Sequence, residues 1–158
     1  MPADQNIERL VNEYGDALLR MCYLYLRDYH LAEDAVQETF IKAMRFYDSF
    51  EQKASEKTWL TRIAINTCKN IMRNRWFQAV QNNIEAHIAA ISGNPIDDFH
   101  EKNSVTGAIM KLNTRDREMI VLYYYQELSV KEIAEIIGKT QNAASQRLNR
   151  ARIKLKKS

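Results

Sequence analysis

Two runs of side chains in this 158-residue chain place amides and cations at helical spacing. The first is Arg62, Asn66, Lys69, Asn70 and Arg73, at steps of four, three, one and three residues, with Arg75 just beyond. On an α-helix these five share a stripe about 16 Å long at roughly 1.5 Å per residue. Such a stripe suits a nucleic-acid backbone and its bases. The second run lies near the carboxyl end: Gln141, Asn142, Ser145, Gln146, Asn149 and Arg150, with Arg147 and Arg152 beside them. Amide side chains read adenine edges and Arg reads guanine or phosphate, so this composition fits base readout. From Lys139 to Ser158 there are seven basic residues and no acidic one. The plain structural alternative for each run is a solvated helix face.

Other chemistries find no comparable pattern. Cys22 and Cys68 lie far apart in the sequence without Cys-x-x-Cys spacing, and His30, His87 and His100 are isolated from one another and from both cysteines. A zinc site or disulfide scaffold is not expected. The pairs Glu33-Asp34 and Asp97-Asp98 have neither a partner nor a positioned base, so no catalytic residue, cofactor or metal site is expected. No apolar run approaches the roughly 20 residues of a membrane span, and Met1 to Leu10 lacks a basic stretch followed by an apolar one. The reading is a cytoplasmic protein with no direct membrane insertion.

At 46% hydrophobic and 27% charged, with four Gly and two Pro, the chain is expected to pack as a globular protein. Its net charge of +3 hides a segregation into blocks. Residues 1–48 sum to −4, 49–78 to +4, 79–104 to −3 and 105–158 to +6. Two basic blocks alternating with two acidic ones point to two polyanion-facing surfaces on one chain.

Helical spacing recurs almost everywhere, so the fold class is all-α with two small helical domains joined by a linker. The set Ile7, Leu10, Val11, Tyr14, Leu18, Met21, Cys22 and Tyr25 predicts a first helix to Arg27. A second runs from Leu31 to Tyr47, burying Ala32, Ala35, Val36, Phe40, Ala43, Met44 and Tyr47 and offering Asp34, Gln37, Glu38, Lys42 and Arg45 outward. Asp48 to Glu56 loses the rhythm and reads as a loop, and Thr58 is expected to cap a third helix reaching about Trp76. Residues 77–104 are acidic and contain the breaker cluster Ser92-Gly93-Asn94-Pro95; they read as a linker with a short helix from about Val80 to Ile91. Four more helical segments follow: Val105 to Leu112, Arg115 to Tyr125, Val130 to Ile137 and Gln141 to Lys156. Neither half, 1–76 or 105–158, is large enough to bury a generous core alone.

Ser129 and Glu132 have capping-box spacing, Gly138 stands where a helix end needs a left-handed residue, and Thr140 can cap the helix that follows. A short helix, a tight glycine turn and a second helix opening on polar side chains make a helix-turn-helix, whose second helix enters the DNA major groove.

Four stretches in register then resemble the bacterial extracytoplasmic-function sigma factors. They are Ala32-Glu33-Asp34-Ala35-Val36-Gln37-Glu38-Thr39-Phe40, Thr58-Trp59-Leu60-Thr61-Arg62-Ile63-Ala64, Leu128 through Gly138, and Arg147-Leu148-Asn149-Arg150-Ala151-Arg152. The resemblance implies a sigma-2 domain at 1–76 that binds core polymerase and the minus-ten element, a linker at 77–104, and a sigma-4 helix-turn-helix domain at 105–158 for the minus-35 element. It implies a non-enzymatic subunit that binds core RNA polymerase through the beta-prime clamp and beta flap, directs it to promoter DNA, starts melting, and answers to an anti-sigma factor. It assigns Asp34, Gln37 and Glu38 to the beta-prime clamp. It assigns Asn66 and Asn70 to an extruded base, and Arg62, Lys69, Arg73 and Arg75 to phosphates. Arg150 aligns with a family contact at the minus-35 element. Two departures stand out: Lys139 occupies a commonly apolar turn position, and Asn142-Ala143-Ala144-Ser145 replaces a run that usually ends in a cation. Promoter preference is therefore expected to differ from that of typical relatives.

Two alternatives compete. A helix-turn-helix regulator acting without being a polymerase subunit would not need the Arg62 to Arg75 stripe. An enzyme would need converging carboxylates or histidines.

Overall fold

A computed structural model describes residues 3–50, 55–82 and 104–157. The spacing of Leu10, Leu18, Met21 and Cys22 turns all four inward on α1 (Ala3–Leu26), which is followed by Arg27 in the left-handed region at φ 63°. Asp28 then caps α2 (Tyr29–Phe46), its Oδ1 accepting the Leu31 N–H at 3.0 Å. A single 3-10 turn, Tyr47–Ser49, ends that hairpin. The third helix, α3 (Glu56–Asn82), packs against both. Its start is tied to α1 by Arg9, whose Nη2 and Nη1 donate to Glu56 Oε2 at 2.5 Å and Oε1 at 3.1 Å.

The carboxyl-terminal half comprises α4 (Val105–Lys111), α5 (Thr114–Ile120) running on into a π-helical turn at Val121–Tyr125, α6 (Val130–Ile137) and α7 (Gln141–Lys156). The expected capping box is present: Ser129 Oγ accepts the Glu132 N–H at 3.1 Å and Glu132 Oε1 accepts the Ser129 N–H at 3.0 Å. Gly138 has φ 69°, a conformation that suits a residue without a Cβ, and Thr140 Oγ1 caps α7 by accepting the Ala143 N–H.

Several expectations are corrected. The start of α3 is capped by Ser55, whose Oγ accepts the Thr58 N–H at 3.0 Å; Thr58 lies inside the helix. The helix continues past Trp76 to Asn82. Met44, expected in the core, is 45% exposed because it faces a groove beside α1. The linker helix expected from Val80 to Ile91 falls largely outside the described residues.

One hydrophobic core serves both halves. Leu18, Met21, Leu60 and Ile65 from the first join Ile109, Met119, Leu122 and Ile133 from the second in a single cluster. Burying each such side chain contributes about 1.5–3 kcal/mol. Polar contacts complete the seam. Gln126, 1% exposed, donates from Nε2 to the Ala17 carbonyl at 3.0 Å and accepts from Thr61 Oγ1 at 3.2 Å. Thr58 Oγ1 donates to Glu132 Oε2 at 2.5 Å, and Lys69 Nζ lies 2.5 Å from Glu118 Oε1. Cys22 and Cys68 meet in the core as free thiols, where hydrogen bonding between them and burial raise the Cys68 pKa.

Candidate nucleic-acid interface

On α3 the buried residues Leu60, Thr61, Ala64, Ile65, Thr67 and Cys68 fix the outward direction. Arg62, Asn66, Asn70 and Arg73 are exposed on the opposite side. The two other cations of the stripe are engaged. Lys69 is half-buried in its ion pair with Glu118, and Arg75 Nη1 lies 3.4 Å from Asp28 Oδ2. Beside Arg62 and Asn66 opens a pocket of about 380 Å³, also lined by Lys42, Phe46, Trp59 and Ile63. Trp59 stacks on Phe50 with centroids 4.7 Å apart and meets Tyr47 edge-on at 5.9 Å. The pocket therefore joins an amide and cations to an aromatic wall, which suits an unstacked base. Sequence reasoning missed Phe46 as a pocket residue and read Lys42 only as part of the outer face of the second helix. The signal was their four-residue spacing on α2, level with Trp59.

On α7, Ala144, Leu148 and Ala151 are buried against the bundle, leaving Gln141, Asn142, Gln146, Asn149 and Arg150 exposed together. Ser145 and Arg147 flank that face, half-buried. Arg152 is held on the flank by tyrosines: its Nε donates to Tyr124 Oη at 2.7 Å and its guanidinium lies 4.9 Å from the Tyr123 ring centroid. Tyr124 raises the pKa of an already basic group, so Arg152 stays cationic. Near the end of the helix, Lys154 donates to Asp116 Oδ2 at 2.7 Å.

A third surface lies on α2. Asp34, Gln37 and Glu38 are exposed, and Gln37 borders an apolar groove of about 530 Å³ between α1 and α2. Val11, Ile41 and Met44 line it while remaining substantially exposed. Among the described residues no helix is long and apolar enough to cross a membrane, and no group of His, Cys, Asp and Glu is placed to hold a metal ion.

The chain is similar to known proteins along nearly its whole length. A family profile described as Sigma-70 region 2 matches residues 10–78, and one described as Sigma-70, region 4 matches residues 102–155. The ECF RNA polymerase sigma factor SigW of Bacillus subtilis is 31% identical, over 94% of this chain and 86% of the relative. A solved structure of CnrH in complex with the cytosolic domain of CnrY superimposes with a TM-score of 0.70 at 26% identity, covering 97% of this chain and 86% of that one. The fold is also that of RpoE from Bartonella quintana, solved with the anti-sigma factor NepR, at a TM-score of 0.78 and 23% identity over 97% of this chain and 96% of that one. Regions 2 and 4 in order, and a relative of this likeness along nearly the whole length, make the chain a member of the extracytoplasmic-function family of bacterial RNA polymerase sigma factors.

Proposed function

We propose that this sigma factor docks on core RNA polymerase through α2, receives an extruded minus-ten base in the pocket beside Asn66, and reads the minus-35 element with α7. The observation that carries the reading is the pocket itself, which sets the Arg62 and Asn66 side chains against the Trp59 and Phe46 rings. A base pulled from the stack offers its Watson-Crick edge to an amide and its face to an aromatic ring. Asn70 and Arg73 extend the same face, with Lys69 and Arg75 joining it as phosphate contacts.

On α7 the readers are Gln141, Asn142, Gln146, Asn149 and Arg150, with Ser145, Arg147 and Arg152 on the flanks. Polymerase contacts come from Asp34, Gln37 and Glu38 on the beta-prime clamp and from the second domain on the beta flap. The division into 1–76, 77–104 and 105–158 belongs to this proposal, with α3 carrying the first domain's last helix to Asn82. An anti-sigma factor regulates the assembly, the protein works in the cytoplasm, and no catalysis of its own is involved.

The packing of the two halves matters to this reading. In the closed arrangement Lys69 is committed to Glu118, so parting the halves would free it for the minus-ten strand. Holoenzyme formation supplies the differential binding that favours the open form.

Asn66→Ala and Arg62→Ala test the pocket. Each is expected to reduce permanganate reactivity of bubble thymines in the holoenzyme while leaving closed-complex affinity nearly unchanged. Parental reactivity in both variants would remove the pocket from the reading.

A further inference from the structure

A separate cavity of about 260 Å³ opens between the halves, away from the base pocket. Three guanidinium groups border it: Arg27 from the turn after α1, Arg75 from α3 and Arg117 from α5. The bonding of two of them is incomplete. Arg117 is 3% exposed, donates from Nη1 to the Leu112 carbonyl at 2.9 Å and the Met110 carbonyl at 3.3 Å, and lies 5.4 Å over the Tyr25 ring. Its buried Nε has no hydrogen-bond partner among the described residues, and neither has the buried Nε of Arg27.

Leaving two guanidinium donors buried and unpaired costs free energy, and their like charges repel one another. Burial and the neighbouring Arg27 together push the Arg117 pKa down to about 10, still far above neutrality, so Arg117 stays charged. Arg75 already has Asp28 as a partner. An anion in the cavity, beside the Arg27 and Arg117 guanidinium groups that line it, would offset their repulsion with charge-assisted contacts. The rest of the wall is mostly apolar, from Leu26, Leu31, Met72, Leu112 and the exposed ring of Trp76, with Asn113 and Thr114 as its polar members. A fully hydrated inorganic ion does not match such a wall; an anionic head on a flat apolar body does.

We propose that this cavity binds a small organic anion, a carboxylate or phosphate ester with a flat apolar body, whose charged head bridges Arg27 and Arg117 and whose body lies against Trp76. Since Arg27 belongs to the first half and Arg117 to the second, the ligand joins the two and stabilises the closed arrangement by mass action. It thereby holds Lys69 on Glu118 and opposes promoter engagement. That regulatory consequence rests on the sigma-factor reading; the binding site does not.

Phenyl phosphate is the probe, with inorganic phosphate as its comparison, titrated into the full-length protein by calorimetry and by tryptophan fluorescence. Phenyl phosphate should bind one to one, more tightly than inorganic phosphate, and should perturb Trp76 emission. Arg27→Asn removes one cation while keeping a residue that tolerates the left-handed backbone of φ 63°. It should weaken binding by about tenfold or more, the loss of a charge-assisted hydrogen bond. Circular dichroism of the variant checks that it is folded. No binding by the parent, equal affinity for the two probes, or equal affinity of parent and variant each overturns the site. In a second arm, saturating phenyl phosphate should lower the parent's affinity for a single-stranded minus-ten oligonucleotide. An intact titration with unchanged oligonucleotide affinity keeps the site and overturns its coupling to promoter access.

Discussion

Lys69 on α3 and Glu118 on α5 form an ion pair of 2.5 Å across the seam between the two halves, with the Glu118 side chain only 6% exposed. The pair commits a cation of the α3 stripe, proposed to meet DNA, to the seam between the halves. Glu118→Gln keeps the shape and removes the charge. An ion pair of this partly exposed kind contributes up to about 1 kcal/mol, so the open fraction should rise by up to about fivefold. Anisotropy of a labelled minus-ten strand should show correspondingly tighter binding by the free protein. The salt slope should steepen by about 0.7, one phosphate contact on a single strand. Unchanged affinity and slope would separate Lys69 from DNA.

A second seam contact responds to acid. Thr58 Oγ1 donates to Glu132 Oε2 and the Ser129 N–H to Oε1, and these bonds hold the Glu132 carboxyl below its ordinary pKa of 4.5. The folded state thus favours the ionised form. Its contribution is complete above the ordinary value and is lost as pH falls through the depressed one. Parent and Glu132→Gln should differ in stability by about 1 kcal/mol near neutrality, with the gap closing in acid below about pH 4.5. Melting curves across pH measure it, and a gap independent of pH would contradict the assignment.

The α2 groove supplies a third prediction. Ile41 is 52% exposed beside the Gln37 edge, an apolar surface next to amide and acid groups. Ile41→Ser with Met44→Ser should weaken core polymerase binding by about tenfold or more, from the apolar area no longer buried. Helix content should be unchanged. Competition against a labelled sigma factor for core polymerase reports the affinity, and a parental value would place the docking face elsewhere.

Much of this was legible from spacing. The helix-turn-helix could be read to the residue because Ser129, Glu132, Gly138 and Thr140 each act locally, on backbone within a turn of themselves. The amides Asn66 and Asn70 stood out by their helical spacing with Arg62 and Arg73, and the buried Leu60, Ala64 and Cys68 turn them outward. Met44 misled because a helix stripe records which residues are apolar, not whether a neighbour covers them. The closed seam was invisible for a different reason. Asp116, Arg117, Glu118 and Gln126 are polar residues that no local spacing gives reason to bury, yet all four are buried. Glu118 is paired with Lys69, and Gln126 with Thr61 and the Ala17 carbonyl. Only the tertiary arrangement reveals such contacts.

The central claim is that this chain directs core RNA polymerase through two separate DNA-reading surfaces. Transcription in vitro from a randomised promoter library, with core polymerase alone, with the parent protein, and with Asn66→Ala or Arg150→Ala, tests it most directly. The account predicts start sites that appear only with the protein and share two upstream elements. Asn66→Ala should relax preference at one position of the nearer element, and Arg150→Ala at one position of the farther, each by about 1–3 kcal/mol of discrimination. Start sites identical with and without the protein, or the same element relaxed by both variants, would contradict it.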